Sequence, residues 1–125
     1  MTTIVLADDH PIVPHGISVI LNAPAVFRFT AEADPARHLE AARLLGADIS
    51  GAGPDDAGEV LANQLIDIMR RTGMPNGLSA IGFTEEDIPQ LVKGTIPQHR
   101  VTKLSPRPAS EDDLAGLFRD AMIYW

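Results

Sequence analysis

Pro14-His15-Gly16-Ile17-Ser18-Val19-Ile20-Leu21-Asn22-Ala23-Pro24-Ala25-Val26-Phe27 is apolar nearly all round. A surface helix keeps one polar face, so a helix with this pattern belongs in the middle of a bundle. Pro14 suits a first turn, where its missing N–H is not needed, whereas Pro24 is expected to kink or break the helix. Further helix signals follow. Residues 35–45 (P-A-R-H-L-E-A-A-R-L-L) are good helix formers closed by Gly46, and residues 47–53 read as a loop. Residues 54–72 form the longest helix candidate, with Ala57, Leu61, Leu65, Ile68 and Thr72 on one stripe and Arg70-Arg71 near its end.

Thr84-Glu85-Glu86-Asp87 is a capping-box pattern for a short helix through Val92, and Pro89 inside it points to Asp87 as the alternative cap. Residues 95–108 hold three prolines and read as an ordered loop. Ser110 and Asp113 make a second capping box, after which Leu114, Leu117, Phe118, Ala121, Met122 and Trp125 keep a helical stripe to the last residue. Residues 3–7 (T-I-V-L-A) read as a short buried strand. The class is mainly α, a helical bundle with one short N-terminal strand. The expected organisation is a strand and loop over residues 1–13 and a helical domain over residues 14–125.

The chain has 125 residues, enough for one domain. It is 45% hydrophobic and 22% charged, and it contains no cysteine, which excludes disulfides and thiolate chemistry. Seventeen acids against ten Lys and Arg give a net charge of -7. That field repels phosphate backbones and anionic membranes, so neither nucleic acid nor membrane is an expected partner. The apolar stretch over residues 17–29 is too short to span a bilayer. The opening residues lack the basic region of a secretory signal, and a cytoplasmic location is expected.

Asp8, Asp9, His10 and His15 form the densest polar cluster. Carboxylate and imidazole suit a divalent metal such as iron, manganese or zinc, but two prolines separate the histidines and nothing places both on one face, so spacing alone favours a solvated loop with a His near a helix start. Gly16 leaves room beside His15 for a ligand or ion, which singles this histidine out. His38 lies on a charged helix face and reads as solvated. His99, Arg100, Lys103 and Arg107 form a basic cluster. It can bond the carbonyls of neighbouring helix ends, or contact the carboxylate of a substrate at a site entrance. Gly51-Ala52-Gly53 lacks the third glycine and the preceding strand of a dinucleotide fingerprint.

The run H-P-I-V-P-H-G-I-S-V from His10, with L-N-A-P-A-V-F-R-F-T after it, resembles the C-terminal helical domain of iron-containing alcohol dehydrogenases. The branch it is most similar to is the hydroxyacid–oxoacid transhydrogenase type. The strings R-H-L-E-A-A-R-L-L-G-A-D, N-G-L-S-A-I-G-F-T-E-E-D-I-P and G-T-I-P-Q-H-R-V-T-K-L-S-P-R-P extend the likeness over residues 8–122. The resemblance implies a two-part oxidoreductase in which an N-terminal α/β half binds NAD(P) and the helical half carries much of a metal site. One Asp and three His hold the metal, iron or zinc, which polarises the alcohol oxygen as hydride leaves for the nicotinamide. The histidine of the Pro-His-Gly motif maps onto His15, and His10 becomes a catalytic candidate lining the site or relaying a proton. The other ligands and the cofactor half are expected ahead of Met1. A single imidazole does not hold such a metal, so the chain alone is not expected to be a competent dehydrogenase. It reads as a truncated product, a designed fragment or a piece that needs a partner, either the missing dinucleotide-binding domain or another copy in a homo-oligomer.

Two other readings compete. A non-catalytic helical module with apolar surface exposed is expected to self-associate. Residues 1–13 (M-T-T-I-V-L-A-D-D-H-P-I-V) also resemble the opening of a response-regulator receiver domain, whose acidic pair binds magnesium. That fold requires a central parallel sheet and a phosphoacceptor Asp after a buried strand roughly 45 residues on.

Overall fold

The computed structural model describes residues 12–125, apart from the side chains of residues 12–19, 100 and 101. The expected strand at residues 3–7 lies outside the described residues. Among the described residues six α-helices follow one another: α1 (Ile12–Thr30), α2 (Pro35–Leu44), α3 (Ala57–Arg71), α4 (Ile88–Thr95), α5 (His99–Thr102) and α6 (Glu111–Asp120). No strand occurs among the described residues. The receiver reading is therefore overturned: the region that needed its phosphoacceptor strand is the turn between α2 and α3, and the core is built from helices. Helix α1 packs against α3 and α6, α2 against α3, and α4 against α6.

Helix α1 begins at Ile12 and runs unbroken through Pro24, against the expectation of a kink or break. Proline in a helix interior costs about 3 kcal/mol, because its ring removes a ladder bond and crowds the preceding turn. Here a side chain bridges the ladder one step further on. The Tyr124 hydroxyl donates to the Leu21 carbonyl at 2.6 Å and accepts from the Ala25 N–H at 3.4 Å. Those two groups are partners in a regular α-helix, so the hydroxyl acts as a splint beside Pro24.

Tyr124 reaches α1 because α6 ends at Asp120, five residues before the end that the apolar stripe suggested. The chain then turns back. Leu78 N–H donates to the Ala121 carbonyl at 2.9 Å and Ser79 N–H to the Met122 carbonyl at 3.0 Å. Asn76 Oδ1 accepts from the N–H groups of Tyr124 and Trp125 at 2.8 and 3.1 Å, and its amide bonds the Trp125 carbonyl. Gly77 makes this docking possible: its φ is 73°, and a Cβ there would collide with the carbonyls of Ala121 and Met122. Leu21, Ala25, Met69, Leu78, Ile88, Val92, Leu114 and Met122 close the core around these contacts.

The local signals elsewhere map onto identifiable bonds. Asp34 caps α2 by accepting from Arg37 N–H at 3.1 Å, and Gly46, with φ 103°, ends that helix as expected. The candidate helix over residues 54–72 starts with a 3₁₀ turn at Pro54–Asp56 before α3 proper, and α1, not α3, is the longest helix. A Cβ on Gly58 would sit 3.1 Å from the Arg28 carbonyl oxygen, so this glycine lets α3 and α1 cross closely. Helix α4 starts after Asp87, which leaves Pro89 in the first turn. The region read as a loop over residues 95–108 contains the single-turn helix α5. The Ser110–Asp113 box opens α6, its two bonds measuring 3.1 and 2.9 Å.

Burial pushes the Tyr124 phenol up from its ordinary 10.0 to about 12. The unfolded chain thus ionises first. The stabilisation tied to the protonated hydroxyl is complete below about pH 10 and is lost as pH rises through about 12. Tyr124→Phe is expected to lower stability by about 1–2 kcal/mol at pH 7. In thermal melts followed by circular dichroism, the gap between wild type and variant should narrow above pH 10. A constant gap across that range would contradict the splint. Gly77→Ala should destabilise by at least ~2 kcal/mol, through both left-handed strain and the collision with the tail.

Candidate functional site

A helix that is apolar all round needs cover on every side. The second half of α1 lacks it on one side, where a groove of about 700 Å³ runs between α1, α4, α5, the segment after α5, and α6. Val26 and Phe27 of α1 face Leu91 of α4, Leu104, and Leu117 and Phe118 of α6 across it. Among the described side chains, no Asp, Glu, Lys or Arg lines it.

One wall holds His38, and here the structure corrects the sequence reading. His38 is 9% exposed, not solvated. Its Nδ1 lies 2.7 Å from the Asp34 carbonyl oxygen and its Nε2 lies 2.9 Å from Thr30 Oγ1. A carbonyl only accepts, so Nδ1 carries the proton, and Nε2 accepts from the Thr30 hydroxyl. The ring also meets Phe27 edge-on, with centroids 5.8 Å apart. Nε2 thereby joins α2 to the end of α1, while Nδ1 is held by the N-cap of α2 itself, and no lone pair is left for a metal. His38 and Ala42, four residues apart, form the buried face of α2, a pairing hidden among charged neighbours in the sequence.

The basic cluster divides. Arg107 Nη1 donates to the Phe29 carbonyl at 3.0 Å, lies 3.4 Å from Glu32 Oε2, and stacks its guanidinium 4.1 Å over the Phe29 ring. That is the helix-end role allowed by the sequence. His99 and Lys103 are exposed, and the Arg100 side chain is among those not described. Neither His99, Lys103 nor Arg107 lines the groove. Gly51 and Ala52 border a shallow hollow with Asp48, Asp56 and Glu59, a negative setting that repels phosphate.

His15 lies in the first turns of α1, the helix whose later residues form the groove wall. Its side chain, His10 and the acidic pair Asp8 and Asp9 fall outside the described part. Among the described residues, no three His, Cys, Asp or Glu side chains are grouped to hold a metal ion. No helix among them is long and apolar enough to cross a membrane.

This is the architecture of a helical dehydrogenase domain, and the comparisons identify which. The family model described as "Fe-containing alcohol dehydrogenase family, C-terminal" matches residues 11–122. The chain is 58% identical over 114 residues to the probable hydroxyacid-oxoacid transhydrogenase, mitochondrial, of Dictyostelium discoideum, covering 91% of this chain and 21% of that protein. It is 59% identical to the hydroxyacid-oxoacid transhydrogenase, mitochondrial, of Xenopus tropicalis, covering 91% and 25%. A crystal structure of 1,3-propanediol oxidoreductase superposes with a TM-score of 0.78 at 28% identity, over 87% of this chain and 28% of that one. The chain belongs to the iron-containing alcohol dehydrogenase family, as a C-terminal domain of the hydroxyacid–oxoacid transhydrogenase-like kind.

At the level of the family, a metal and NAD(P) are the cofactors. The chain spans about a fifth to a quarter of the length of these curated relatives. The expected cytoplasmic location is overturned, since the relatives are named as mitochondrial enzymes.

His38→Ala removes the imidazole that bonds the Thr30 hydroxyl and leaves the Asp34 carbonyl with only the residue-38 backbone N–H. The expected loss is about 2 kcal/mol, read as a melting temperature lower by roughly 5–10 °C. An unchanged melt would mean that the imidazole is not the link between α1 and α2.

Proposed function

We propose that this chain supplies the helical, metal-side half of an oxidoreductase that moves hydride on a small alcohol or hydroxy acid, as the transhydrogenase names of its relatives suggest. The observation that carries the reading is the family match, which begins at residue 11 and so includes the Pro-His-Gly helix start. In this reading residues 14–125 are the helical domain and residues 1–13 lead into it. His15 is a metal ligand, and His10 lines the site or relays a proton. The described residues do not assemble a metal set among themselves. In this reading His15 works with ligands from the N-terminal part of the enzyme, as the family likeness suggests, and that part also brings the nicotinamide cofactor. One imidazole is too few for useful affinity, so the chain alone neither retains metal nor turns over.

Self-association as a homo-oligomer is the second reading. It is favoured by Phe27, Ile96 and Leu104, which stand exposed on this face.

Metal content measured after dialysis against trace iron and zinc tests the first reading. The expected result is substoichiometric metal on the chain alone. Stoichiometric metal is expected once it is mixed with the part of the Xenopus tropicalis relative outside the matched region, and it should be lost in His15→Ala. Stoichiometric metal on the isolated chain would overturn the division of ligands, and full retention by His15→Ala would remove His15 from the set.

A further inference from the structure

We infer that the groove beside α1 is the seat of a helix from the N-terminal part of the enzyme, and that the backbone of this helix lies directly over Gly94. The inference rests on the reading of the chain as the C-terminal half of a larger protein.

Charge is the first argument. In a chain with 22% charged residues, a groove of about 700 Å³ has no Asp, Glu, Lys or Arg among the described side chains of its lining. An open groove of that size fits an apolar helix face laid between α1 and α4. Its rim is far from satisfied by the chain itself: Leu104 is 77% exposed.

Gly94 supplies the second, independent argument. It lies in the last turn of α4, lines the groove, and has no positive φ that would require glycine. A Cβ added there meets nothing within 4 Å. Alanine is the better helix former, so nothing inside the described chain accounts for glycine here or at Gly116 of α6, and of the two it is Gly94 that lines the groove. In the first turn of α3 the fold uses a glycine for close approach. Gly58 lets α3 approach α1 so closely that a Cβ would come within 3.1 Å of the Arg28 carbonyl oxygen. Gly94 offers the same close crossing with its counterpart missing.

The length of the relatives settles the choice of occupant. About three quarters or more of each lies outside the matched region, and the family model is that of a C-terminal part. A second copy of this chain would have to bury an equally uncharged face of its own, yet the chain carries a net charge of -7 that opposes self-association.

The test mixes the 125-residue chain with the part of the Xenopus tropicalis relative outside the matched region. Affinity is measured by calorimetry and protection by hydrogen exchange. Protection is expected along α1 from Asn22 to Thr30 and along α4. Gly94→Leu should weaken binding by roughly tenfold or more, while the free chain melts no lower than wild type. Gly94→Ala should raise the melting temperature of the free chain and still weaken binding. Binding that both variants leave unchanged, or protection away from the groove, would overturn the inference and leave the C-terminal-half reading standing. Absence of binding by the wild-type chain would count against that reading itself. A free-chain dimer in light scattering that Gly94→Leu dissolves would overturn the inference in favour of a second copy.

Discussion

The Tyr124 hydroxyl sits between Leu21 and Ala25, 99 residues away from Ala25 in sequence, and the middle of α1 depends on it. Proline removes one donor from the helix and strains the turn before it. A hydroxyl is the smallest group that can accept from one ladder partner and donate to the other at the same time. Water could do the same only where water can reach, and Leu21, Pro24 and Ala25 are essentially inaccessible. The splint must therefore come from the protein, and the chain brings it by ending α6 early and folding its last residues onto Asn76, Leu78 and Ser79. Gly77 is the other half of this arrangement, since no larger residue lets the tail approach. Core closure, the course of α1 and the path of the C-terminus are thus parts of one constraint.

From that constraint the groove follows. With α1 held continuous, its apolar surface extends as far as Thr30, beyond the reach of α6 and the tail. Helix α3 covers one side through the close crossing at Gly58. His38 and Arg107 satisfy the last polar groups of α1 from α2 and from the segment after α5, so the end of the helix is fixed without being covered. Among the described residues, what remains uncovered is mostly apolar and carries no charged side chain. An uncovered surface of this kind is destabilising in water, which is why an occupant is proposed for it.

Much of the fold was legible in the sequence wherever its cause was local. Gly46, Thr84 with Asp87, and Ser110 with Asp113 act within one turn of themselves, and each lies where residue type and spacing place it. The features that escaped have distant causes. Pro24 reads as a breaker because Tyr124 lies at the other end of the chain. His38 reads as solvated because the partner that buries it, Thr30, comes from the previous helix end, and its charged neighbours mask the one buried face of α2. The stripe from Leu114 to Trp125 continues a helical period, but the tail serves the core better by leaving the helix, a tertiary preference that periodicity does not encode. The candidate site is a different case. His15 and His10 stood out through family likeness, not through any clustering of ligands, and the described fold adds the course of α1 without placing either side chain. The groove was not legible at all, since its walls come from four helices and its signature is an absence of charge.

His15 and the groove share one helix, and this gives the arrangement its consequence. A residue on the first turns of α1 and a wall built from Asn22 onward belong to a single rod, separated by about 10 Å of helical rise. Whatever docks in the groove fixes the axial position and rotation of α1, and with them the direction in which His15 is presented. A metal set divided between two parts of an enzyme gains from such coupling. Each imidazole contributes little alone, whereas ligands held in register by a separate apolar contact bind as a unit, because the entropy of bringing them together is already lost in the docking. The Tyr124 splint enters here as well. A kink free to flex at Pro24 would uncouple the two halves of α1, and a helix bridged at Leu21 and Ala25 transmits the position of one end to the other.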